Sequence, residues 1–346
     1  MIDPRLAERG AAAARPVLSV TGLKAYFRLN SFGVRRDVRA VDGISFEVRP
    51  NEIYGLAGES SSGKTTLIKT VAGAIKPPLQ VVEGTIRFSF LPGRDGLHLA
   101  TPEEIRRVRW RHLSTILQGS MNVLNPLRRV EATFRDFAWR HMAPGLGGSR
   151  PAFDDAVAAH LAKLRLDRSI LKAFPHELSG GMRQRVTIAL ATICRPEFII
   201  ADEPTTALDV VVQKDVLGMI RGIQQDLGSS VLFVTHDMGV HAHLTHRLGI
   251  MYAGRLVEEA ATREIFARPL HPYTRHLIAS LPRIGDDTPR KGLEGSPPSL
   301  ADPPPGCRFH PRCPIAMPRC RTDVPPMTEV APGRRVACHA VEGAAA

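Results

Sequence analysis

The feature that most constrains this chain is the octapeptide at positions 58–65, GESSSGKT, which fits the pattern G-x-x-x-x-G-K-[ST]. An apolar run, Ile53–Ala57, precedes it and a helical pattern, Thr65–Ile75, follows it, as this pattern requires. Backbone amides of such a loop surround a phosphate, and the next helix adds its positive N-terminal end. We therefore expect a nucleotide site in which Lys64 reaches the β- and γ-phosphates and Thr65 ligates Mg²⁺. The expected ATP-binding residues of the loop are Gly58, Glu59, Ser60, Ser61, Ser62, Gly63, Lys64, Thr65 and Thr66.

Composition excludes several classes of protein. The 346 residues are 43% hydrophobic and 23% charged, which is typical of globular domains and not of disordered or fibrous chains. No apolar stretch approaches the 18 or so residues of a membrane span, and residues 1–16 lack a signal-peptide core, so we expect a flexible tail there. The net charge of +12 is mostly arginine spread along the chain, which does not favour a nucleic-acid partner.

The order of apolar runs predicts the architecture. Short runs such as Phe198–Ala201 and Val231–Thr235 alternate with longer helical patterns, which indicates a parallel α/β sheet covered on both faces. Between about 103 and 190 the strand signals disappear, and we expect an all-helical insertion. Four of the five cysteines and 15 of the 28 prolines lie after position 268, which suggests a separate C-terminal module. Without an export signal the compartment is expected to be reducing, so the clustered cysteines indicate a metal site.

Two further motifs carry chemistry. The apolar strand at 198–201 ends in two carboxylates, at the sheet edge where α/β folds place ligands. Asp202 fits an outer partner of Mg²⁺, and Glu203 could polarise an attacking water. At 178–185, LSGGMRQR, Ser179 caps a helix whose N-terminus forms a second anion site. One nucleotide cannot easily use both sites at its γ-phosphate, so we expect two chains to sandwich the nucleotide.

These elements occur in an order that resembles the ATP-binding subunits of ABC transporters over residues 17–262. The resemblance implies an α/β fold with a RecA-like P-loop ABC ATPase core, an antiparallel β subdomain and a helical insertion at about 103–190. The matching elements are the loop at 58–65, Gln118, the signature at 178–182, Asp202-Glu203, Ala207-Leu208-Asp209 and His236.

The same resemblance assigns roles to residues of this chain. It makes Glu203 the base, places His236 at the γ-phosphate, and gives Gln118 contacts with Mg²⁺ and the attacking water. Magnesium would be held through Thr65, Gln118 and Asp202. Asp209 would lie in a dimer-interface loop, and an aromatic residue near the N-terminus would stack on adenine; we favour Tyr26, with Phe27 and Phe32 as alternatives. Ser61 stands where related importers more often have Gly, and little functional loss is expected because its amide still donates. The residues expected to contact the partner chain's nucleotide are Ser179, Gly180, Gly181 and Gln184.

Motifs near the C-terminus indicate which type of ABC transporter the chain resembles. The segments 271–274 (HPYT) and 306–314 (GCRFHPRCP) resemble the C-terminal region, here 263–346, of oligopeptide/dipeptide importer ATPases of the D type. That resemblance implies a [4Fe–4S] cluster held by Cys307, Cys313, Cys320 and Cys338. From the residues alone, a Zn²⁺ site and free thiols remain alternatives to the cluster, and His310 and His339 are additional candidate ligands.

The sequence thus predicts the ATP-hydrolysing subunit of a peptide importer, peripheral on the cytoplasmic face of the membrane. Its expected partners are a second ATPase subunit (a related F-type chain favoured over an identical one), two integral membrane permeases and, indirectly, an extracellular solute-binding protein. The Arg-rich region 103–150 is expected to face the permeases. Alternatives left open are a nickel or oligosaccharide importer, a soluble ABC ATPase acting on nucleic acid or ribosomes, and a tail that acts as a redox sensor.

Overall fold

The computed structural model describes residues 15–31, 33–91, 93, 96, 102–116, 124–206, 209–281 and 293–342. The chain divides into two compact units: the first holds residues 1–17, 49–51 and 100–232, and the second holds 18–48, 52–99 and 233–346. The strands are β1 (Leu18–Ser31), β2 (Val34–Val48), β3 (Ile53–Ala57), β4 (Leu79–Phe88), β5 (Leu113–Ile116), β6 (Phe198–Asp202), β7 (Ser230–Val234), β8 (Arg247–Tyr252), β9 (Arg255–Ala261), β10 (Thr328–Ala331) and β11 (Arg334–Val336). The helices are α1 (Lys64–Val71), α2 (Pro102–Val108), α3 (Val130–Met142), α4 (Arg150–Lys163), α5 (Gly180–Thr192), α6 (Val210–Leu227), α7 (Met238–Leu244), α8 (Thr262–Ala267), α9 (Pro272–Ala279) and α10 (His339–Glu342).

The second unit contains two kinds of strand pairing. β1 pairs antiparallel with both β2 and β4, which gives a three-stranded sheet. β3 pairs parallel with β8, and β8 pairs antiparallel with β9. All five residues of β3 are buried, as expected for a strand that is covered on both faces and therefore has no polar alternation. The sequence prediction of an α/β core with an antiparallel β part is confirmed.

The first unit is mainly helical but also contains paired strands. β5 and β6 run parallel, from Leu113 opposite Phe198 to Ile116 opposite Ala201. The expectation that 103–190 contains helices alone is therefore wrong. The four-residue strand β5 is too short to produce a recognisable hydrophobic pattern, and only its pairing with β6 identifies it. Beside it, α3 and α4 pack through Trp139 and Phe153, whose ring centroids lie 5.3 Å apart.

The cysteine-bearing tail folds into the second unit. β11 pairs antiparallel with β9, with Arg335 opposite Glu259, and β10 pairs with β11. Phe309 is buried against the rings of Tyr252 and Tyr273. The tail is therefore not a separate module as expected, because its apolar residues have no core of their own and complete that of the second unit.

Among the described residues, none of the helices combines the length and the apolar character that crossing a bilayer demands.

Candidate nucleotide site and four-cysteine cavity

The phosphate loop is shaped by two glycines in backbone conformations that other residues rarely adopt. Gly58 has φ +150° and Gly63 has φ +100°. A Cβ atom at Gly63 would lie 1.9 Å from the carbonyl oxygen of Ala40, so any side chain there would collide with β2. The loop then enters α1, whose first residue is Lys64. Strand, loop and helix therefore present backbone amides and a helix N-terminus at one place, as the sequence predicts.

Lys64 lies inside this loop and is buried. Its Nζ donates to the carbonyl oxygens of Gly58 at 2.6 Å and Glu59 at 2.8 Å, and to Ser62 Oγ at 3.2 Å. These acceptors hold the ammonium group at the centre of the loop, where the phosphates of a bound nucleotide would add charged acceptors. Thr65 is exposed on the first turn of α1, and Thr66 is buried.

Ser61 adopts φ +65°, in the left-handed region. A non-glycine residue in this conformation costs roughly 1–2 kcal/mol. The structure thus gives a physical reason for glycine at this position: the backbone conformation, and not the loss of an amide donor, sets the cost of serine.

Tyr26 lies on β1, and its hydroxyl donates to Asp42 Oδ1 at 2.5 Å. Burial and the neighbouring Asp42 carboxylate raise the pKa of the Tyr26 phenol above its usual value. The ring lines a cavity of about 650 Å³ together with Arg39 and Asp42. This space beside the ring is large enough for a planar base. Phe27 is half-buried, and Phe32 lies outside the described residues.

Asp42 is a buried carboxylate on β2 that binds two arginines besides Tyr26. Arg308 Nη2 donates to Asp42 Oδ2 at 2.5 Å, and Arg255 Nη2 donates to the same oxygen at 2.9 Å. Burial alone would raise the pKa of Asp42, but hydrogen bonds from Tyr26 and Arg255 and the charge of Arg308 hold it below its usual range. The carboxylate is therefore ionised at neutral pH and anchors both guanidinium groups.

His236 follows β7 and is exposed. The next residue, Asp237, caps α7 by accepting hydrogen bonds from Gly239 N at 2.8 Å and Val240 N at 3.3 Å. His241, one turn into α7, is fully buried and lies 3.2 Å from the carbonyl oxygen of Thr235. The strand end therefore presents His236 at the surface and fixes its backbone from both sides.

The predicted carboxylate pair belongs to the first unit. Asp202 is buried as the last residue of β6, and Glu203 follows with φ +45°. Thr206 Oγ1 donates to Glu203 Oε2 at 2.9 Å. A glutamate held in the left-handed region is strained by about 1–3 kcal/mol, and such strain concentrates at functional sites.

The signature helix α5 begins as predicted. Ser179 Oγ accepts a hydrogen bond from Met182 N at 3.3 Å and caps the helix, and Ser179 itself is exposed. Gln184 is buried, and its amide donates to the carbonyl oxygen of Pro204 at 2.5 Å. The structure therefore places Ser179 at the surface but ties Gln184 to the segment after β6 of its own chain.

Asp209 and Gln118 are the remaining predicted site residues. Asp209 is exposed, and its Oδ1 accepts from Val212 N at 2.9 Å in the first turn of α6. Gln118 lies outside the described residues, as do Ala207 and Leu208.

The structure also reveals contacts to the phosphate loop for which the sequence carries no local signal. Glu59 N donates to the phenol oxygen of Tyr273 at 2.8 Å. Arg312 donates through Nη1 to Glu59 Oε2 at 2.9 Å and through Nη2 to Glu59 Oε1 at 3.2 Å. Both partners come from the C-terminal region, more than 200 residues later in the chain. A pattern-based interpretation of the loop therefore cannot find them.

All four C-terminal cysteines line one small cavity of about 10 Å³. The backbone amide of Cys307 donates to the carbonyl oxygen of Cys320 at 2.9 Å, which joins two of the cysteine segments. Burial raises the pKa of the Cys307 thiol to about 11, and it raises the pKa of Cys313 and Cys338 as well. His310 and His339 line the same cavity.

The side chains around this cavity do not lie in the close arrangement of metal ligands. Within the described part of the chain, no three His, Cys, Asp or Glu side chains form a group that could hold a metal ion. The donor set nevertheless fits a thiolate-ligated group, because four thiols face one enclosed space and a bound metal would replace their protons.

Comparison with known proteins identifies the family. Residues 41–206 match the ABC transporter family, and residues 257–320 match the oligopeptide/dipeptide transporter C-terminal region. The dipeptide transport ATP-binding protein DppD of Caldanaerobacter subterraneus subsp. tengcongensis is 38% identical over 307 residues, covering 88% of this chain and 92% of that protein. This chain belongs to the family of ABC transporter ATP-binding proteins.

Other comparisons agree with this membership. The oligopeptide transport ATP-binding protein AppF of Bacillus subtilis is 36% identical over 337 residues, covering 95% of this chain and 98% of that protein. The solved dimeric structure of MJ0796, a bacterial ABC transporter cassette, has a TM-score of 0.58 and 22% identity, covering 71% of this chain and 99% of that one. The structural likeness confirms the RecA-like P-loop ABC ATPase fold.

As an ABC transporter ATP-binding protein, the chain is an ATP hydrolase and uses ATP with Mg²⁺. The arrangement around Lys64 and the two loop glycines agrees with that activity, because it presents a buried cation and backbone donors to a phosphate chain.

Proposed function

We propose that this chain is the ATP-hydrolysing subunit of an importer for dipeptides and oligopeptides, attached to the cytoplasmic face of the membrane. The observation that carries the proposal is the match of residues 257–320 to the oligopeptide/dipeptide transporter C-terminal region, in a chain whose residues 41–206 match the ABC transporter family. The relatives named for dipeptide and oligopeptide transport support it over most of the chain. Residues 17–262 are the proposed nucleotide-binding domain, and 263–346 the region specific to these importers.

In the proposed cycle, two nucleotide-binding domains close around two nucleotides. Each site pairs the phosphate loop of one chain with the Ser179 helix start of the other, because both present helix N-termini that attract anions. Glu203 acts as the base toward water, and His236 contacts the γ-phosphate. Thr65 and Asp202, together with Gln118, would hold Mg²⁺. Hydrolysis cleaves the bond between the β- and γ-phosphates, and release of the γ-phosphate as inorganic phosphate removes the group that both chains contact, so the chains separate.

Tyr26 is the proposed adenine-stacking residue. Its ring borders a cavity of about 650 Å³, and its hydroxyl is held by Asp42, which fixes the orientation of the ring. This hydrogen bond orders the tyrosine in advance and so reduces the entropy that stacking would otherwise cost.

The proposed permease contact lies on the helical part of the first unit. Leu127, in the turn before α3, is 85% exposed and Phe137, on α3, is 39% exposed, so both present apolar surface that a partner could cover. The Phe137 ring packs against Trp110, with centroids 5.2 Å apart. Arg128 and Arg140 are close to Leu127 and Phe137 in the sequence, and cationic residues suit a partner at an anionic membrane surface. We propose two permeases and a second, related ATPase subunit as partners.

The four cysteines are the proposed ligands of a [4Fe–4S] cluster. Cys307, Cys313, Cys320 and Cys338 line one cavity, and four cysteine thiolates are the ligand set of a [4Fe–4S] cluster. Such a cluster supplies one-electron redox chemistry, and burial and hydrogen bonds set its potential. Zn²⁺ is the competing occupant, since four thiolates also suit it.

Transport by the reconstituted complex tests the main proposal. The chain would be purified with its membrane subunits, placed in liposomes with ATP, and assayed for uptake of a labelled dipeptide, a labelled oligopeptide, Ni²⁺ and a labelled oligosaccharide. We expect peptide uptake that requires ATP and is abolished by Lys64→Ala. Uptake of Ni²⁺ or oligosaccharide without peptide uptake would contradict the peptide assignment while leaving the ATPase intact.

Metal analysis of anaerobically purified protein tests the cluster. About four irons and four acid-labile sulfides per chain, with absorbance near 400 nm, are expected for a [4Fe–4S] site. The matched control is Cys194→Ser, which removes a thiol outside the cavity and should leave the iron content unchanged. One zinc without sulfide, or no metal at all, would contradict the cluster.

A further inference from the structure

Two arginines, each adjacent in sequence to a cysteine of the cavity, contact opposite parts of the nucleotide site. Arg312 precedes Cys313, and its side chain is 7% exposed. It meets the carboxylate of Glu59, the second residue of the phosphate loop, through both terminal nitrogens. Paired hydrogen bonds of this kind fix direction as well as distance. Its Nε also donates to the carbonyl oxygen of Glu294 at 3.1 Å, which holds the guanidinium group from the other side.

Arg308 follows Cys307 and contacts the base end of the site. Its Nη2 donates to Asp42, and Asp42 in turn accepts the hydroxyl hydrogen of Tyr26. Arg308 also donates to the carbonyl oxygen of Ala253. Burial, and the nearby charge of Arg255, lower the pKa of Arg308 to about 10, so the guanidinium group stays charged at neutral pH and pairs with the Asp42 carboxylate. The chain of contacts from Cys307 to Tyr26 therefore runs entirely through buried or half-buried groups.

The backbone makes the two arginines part of one short, hydrogen-bonded segment. His310 N donates to Cys307 O at 2.9 Å, Arg312 N donates to Phe309 O at 3.0 Å, and Cys313 N donates to His310 O at 3.3 Å. Residues 307–313 therefore form one hydrogen-bonded segment that carries both cysteines and both arginines. Phe309, in the middle, is 1% exposed and prevents the segment from turning independently.

We propose that the four-cysteine region sets the affinity of this chain for nucleotide, and that Arg312 and Arg308 are the positioning residues through which it acts. The inference rests on the proposed nucleotide site at residues 58–66 and Tyr26. When the cysteines hold their group, Arg312 neutralises Glu59 and Arg308 fixes Asp42 and Tyr26. When that group is lost, the segment shifts, the Glu59 carboxylate loses its partner beside the phosphates, and like charges repel.

The first experiment separates this role from a merely structural one. The affinity for the fluorescent nucleotide mant-ATP, with Mg²⁺, would be measured for the wild type and for Arg312→Met, which keeps the apolar stem but removes the charge. We expect at least a fivefold weaker affinity, roughly the lower end of measured couplings between sites. In Glu59→Gln/Arg312→Met the affinity should return to within about twofold of the wild type, because no carboxylate is left unpaired. Arg321→Ala is the matched control: Arg321 also follows a cysteine, but it is exposed, and the variant should bind as the wild type does.

The second experiment tests the connection to the cysteines. Cys338→Ser alters the cavity at the cysteine farthest along the chain from both arginines, and it should weaken mant-ATP binding about fivefold or more. In the Glu59→Gln/Arg312→Met background the same change should have a smaller effect, because only the Arg308–Asp42 contact is left to carry it. Circular dichroism of each variant verifies that it is folded, and Arg312→Gln, which also removes the charge, serves if the methionine variant is not.

Either of two results would overturn the inference. One is unchanged mant-ATP affinity in folded Arg312→Met or Arg312→Gln; the other is a Cys338→Ser effect that is the same in both backgrounds. Failure of the underlying nucleotide site gives a different result, because the wild type itself would then bind no mant-ATP.

Discussion

The backbone amide of Glu59 donates a 2.8 Å hydrogen bond to the phenol oxygen of Tyr273, a residue 214 positions later. Tyr273 is fully buried, and its ring packs against Tyr252 and Phe309. The amide that opens the phosphate loop is thus bound to the aromatic core of the C-terminal region and is not free for a phosphate. The shape of the loop depends on packing that lies outside the motif.

Tyr273→Phe should therefore loosen the phosphate loop without disturbing the aromatic core. The variant keeps the ring but leaves Glu59 N without its acceptor, which should lower the free energy of unfolding by about 1–3 kcal/mol. Urea unfolding monitored by circular dichroism measures this loss. Tyr252→Phe is the comparison, because the Tyr252 hydroxyl contacts Arg312 and not a backbone amide of the loop. Equal stability of wild type and Tyr273→Phe would contradict the role of this hydrogen bond.

Glu203→Gln should separate nucleotide binding from hydrolysis. The amide keeps the size of the side chain and an oxygen for the Thr206 hydroxyl, but it cannot accept a proton from water. Loss of a general base lowers turnover by about 10²–10⁴-fold, and phosphate release by the complete transporter measures it. Asp226→Asn, which removes an exposed carboxylate from α6, should hydrolyse ATP normally. Near-normal turnover by Glu203→Gln would show that another group acts as the base.

Ser179→Ala should lower both the free energy of unfolding and the rate of ATP hydrolysis, whereas Ser149→Ala should lower only the free energy of unfolding. Both serines cap a helix in the first unit: Ser179 accepts from Met182 N, and Ser149 accepts from Ala152 N, each at 3.3 Å. Loss of either cap should destabilise the protein by about 1 kcal/mol, measured by urea unfolding. Only Ser179 is proposed to meet the partner chain's nucleotide, so only its loss should lower ATP hydrolysis by the complex. Equal hydrolysis by the two variants would argue against the signature role.

Stability should fall as the pH drops from about 6.5 toward 4. Burial lowers the pKa of His241 and of His160 to about 4 in the folded protein, whereas unfolded histidine titrates near 6.5. Below pH 6.5 the unfolded chain binds protons that the folded chain does not. Each histidine then removes up to about 1.4 kcal/mol per pH unit until its folded pKa is reached. Urea unfolding at pH 7.5, 6.5 and 5.5 measures the slope, which His160→Gln should reduce. A stability independent of pH over this range would contradict the buried, neutral state of these rings.

The sequence is sufficient to predict those parts of the site that are coded locally. The buried strand β3, the glycines at 58 and 63 and the helix from Lys64 follow one another directly, so their geometry is determined within twenty residues. The cap at Ser179 is equally local.

The contacts that sequence analysis misses join residues far apart in the chain. Arg312 is 253 residues from Glu59, and no spacing or composition links them. Sequence analysis does not predict the strand β5, because four residues are too few to show a hydrophobic periodicity. Its pairing with β6 identifies it. Gln184 shows the same limit in another way: its position in the motif suggests an exposed ligand, whereas the fold buries it against Pro204. The contacts of Asp42 with two arginines and a tyrosine also depend on three-dimensional packing, so the sequence does not predict them.

The ion pair between Asp42 and Arg308 joins residues that are 266 positions apart. A ribosome synthesises Asp42 early and Arg308 almost last, so a growing chain carries its phosphate loop long before the loop has its final neighbours. Strand β9 also pairs with β11, which is synthesised near the end of the chain, so the second unit can be completed only after translation has nearly ended. A nascent or truncated copy therefore lacks the contacts that the C-terminal region makes with Asp42 and with the phosphate loop.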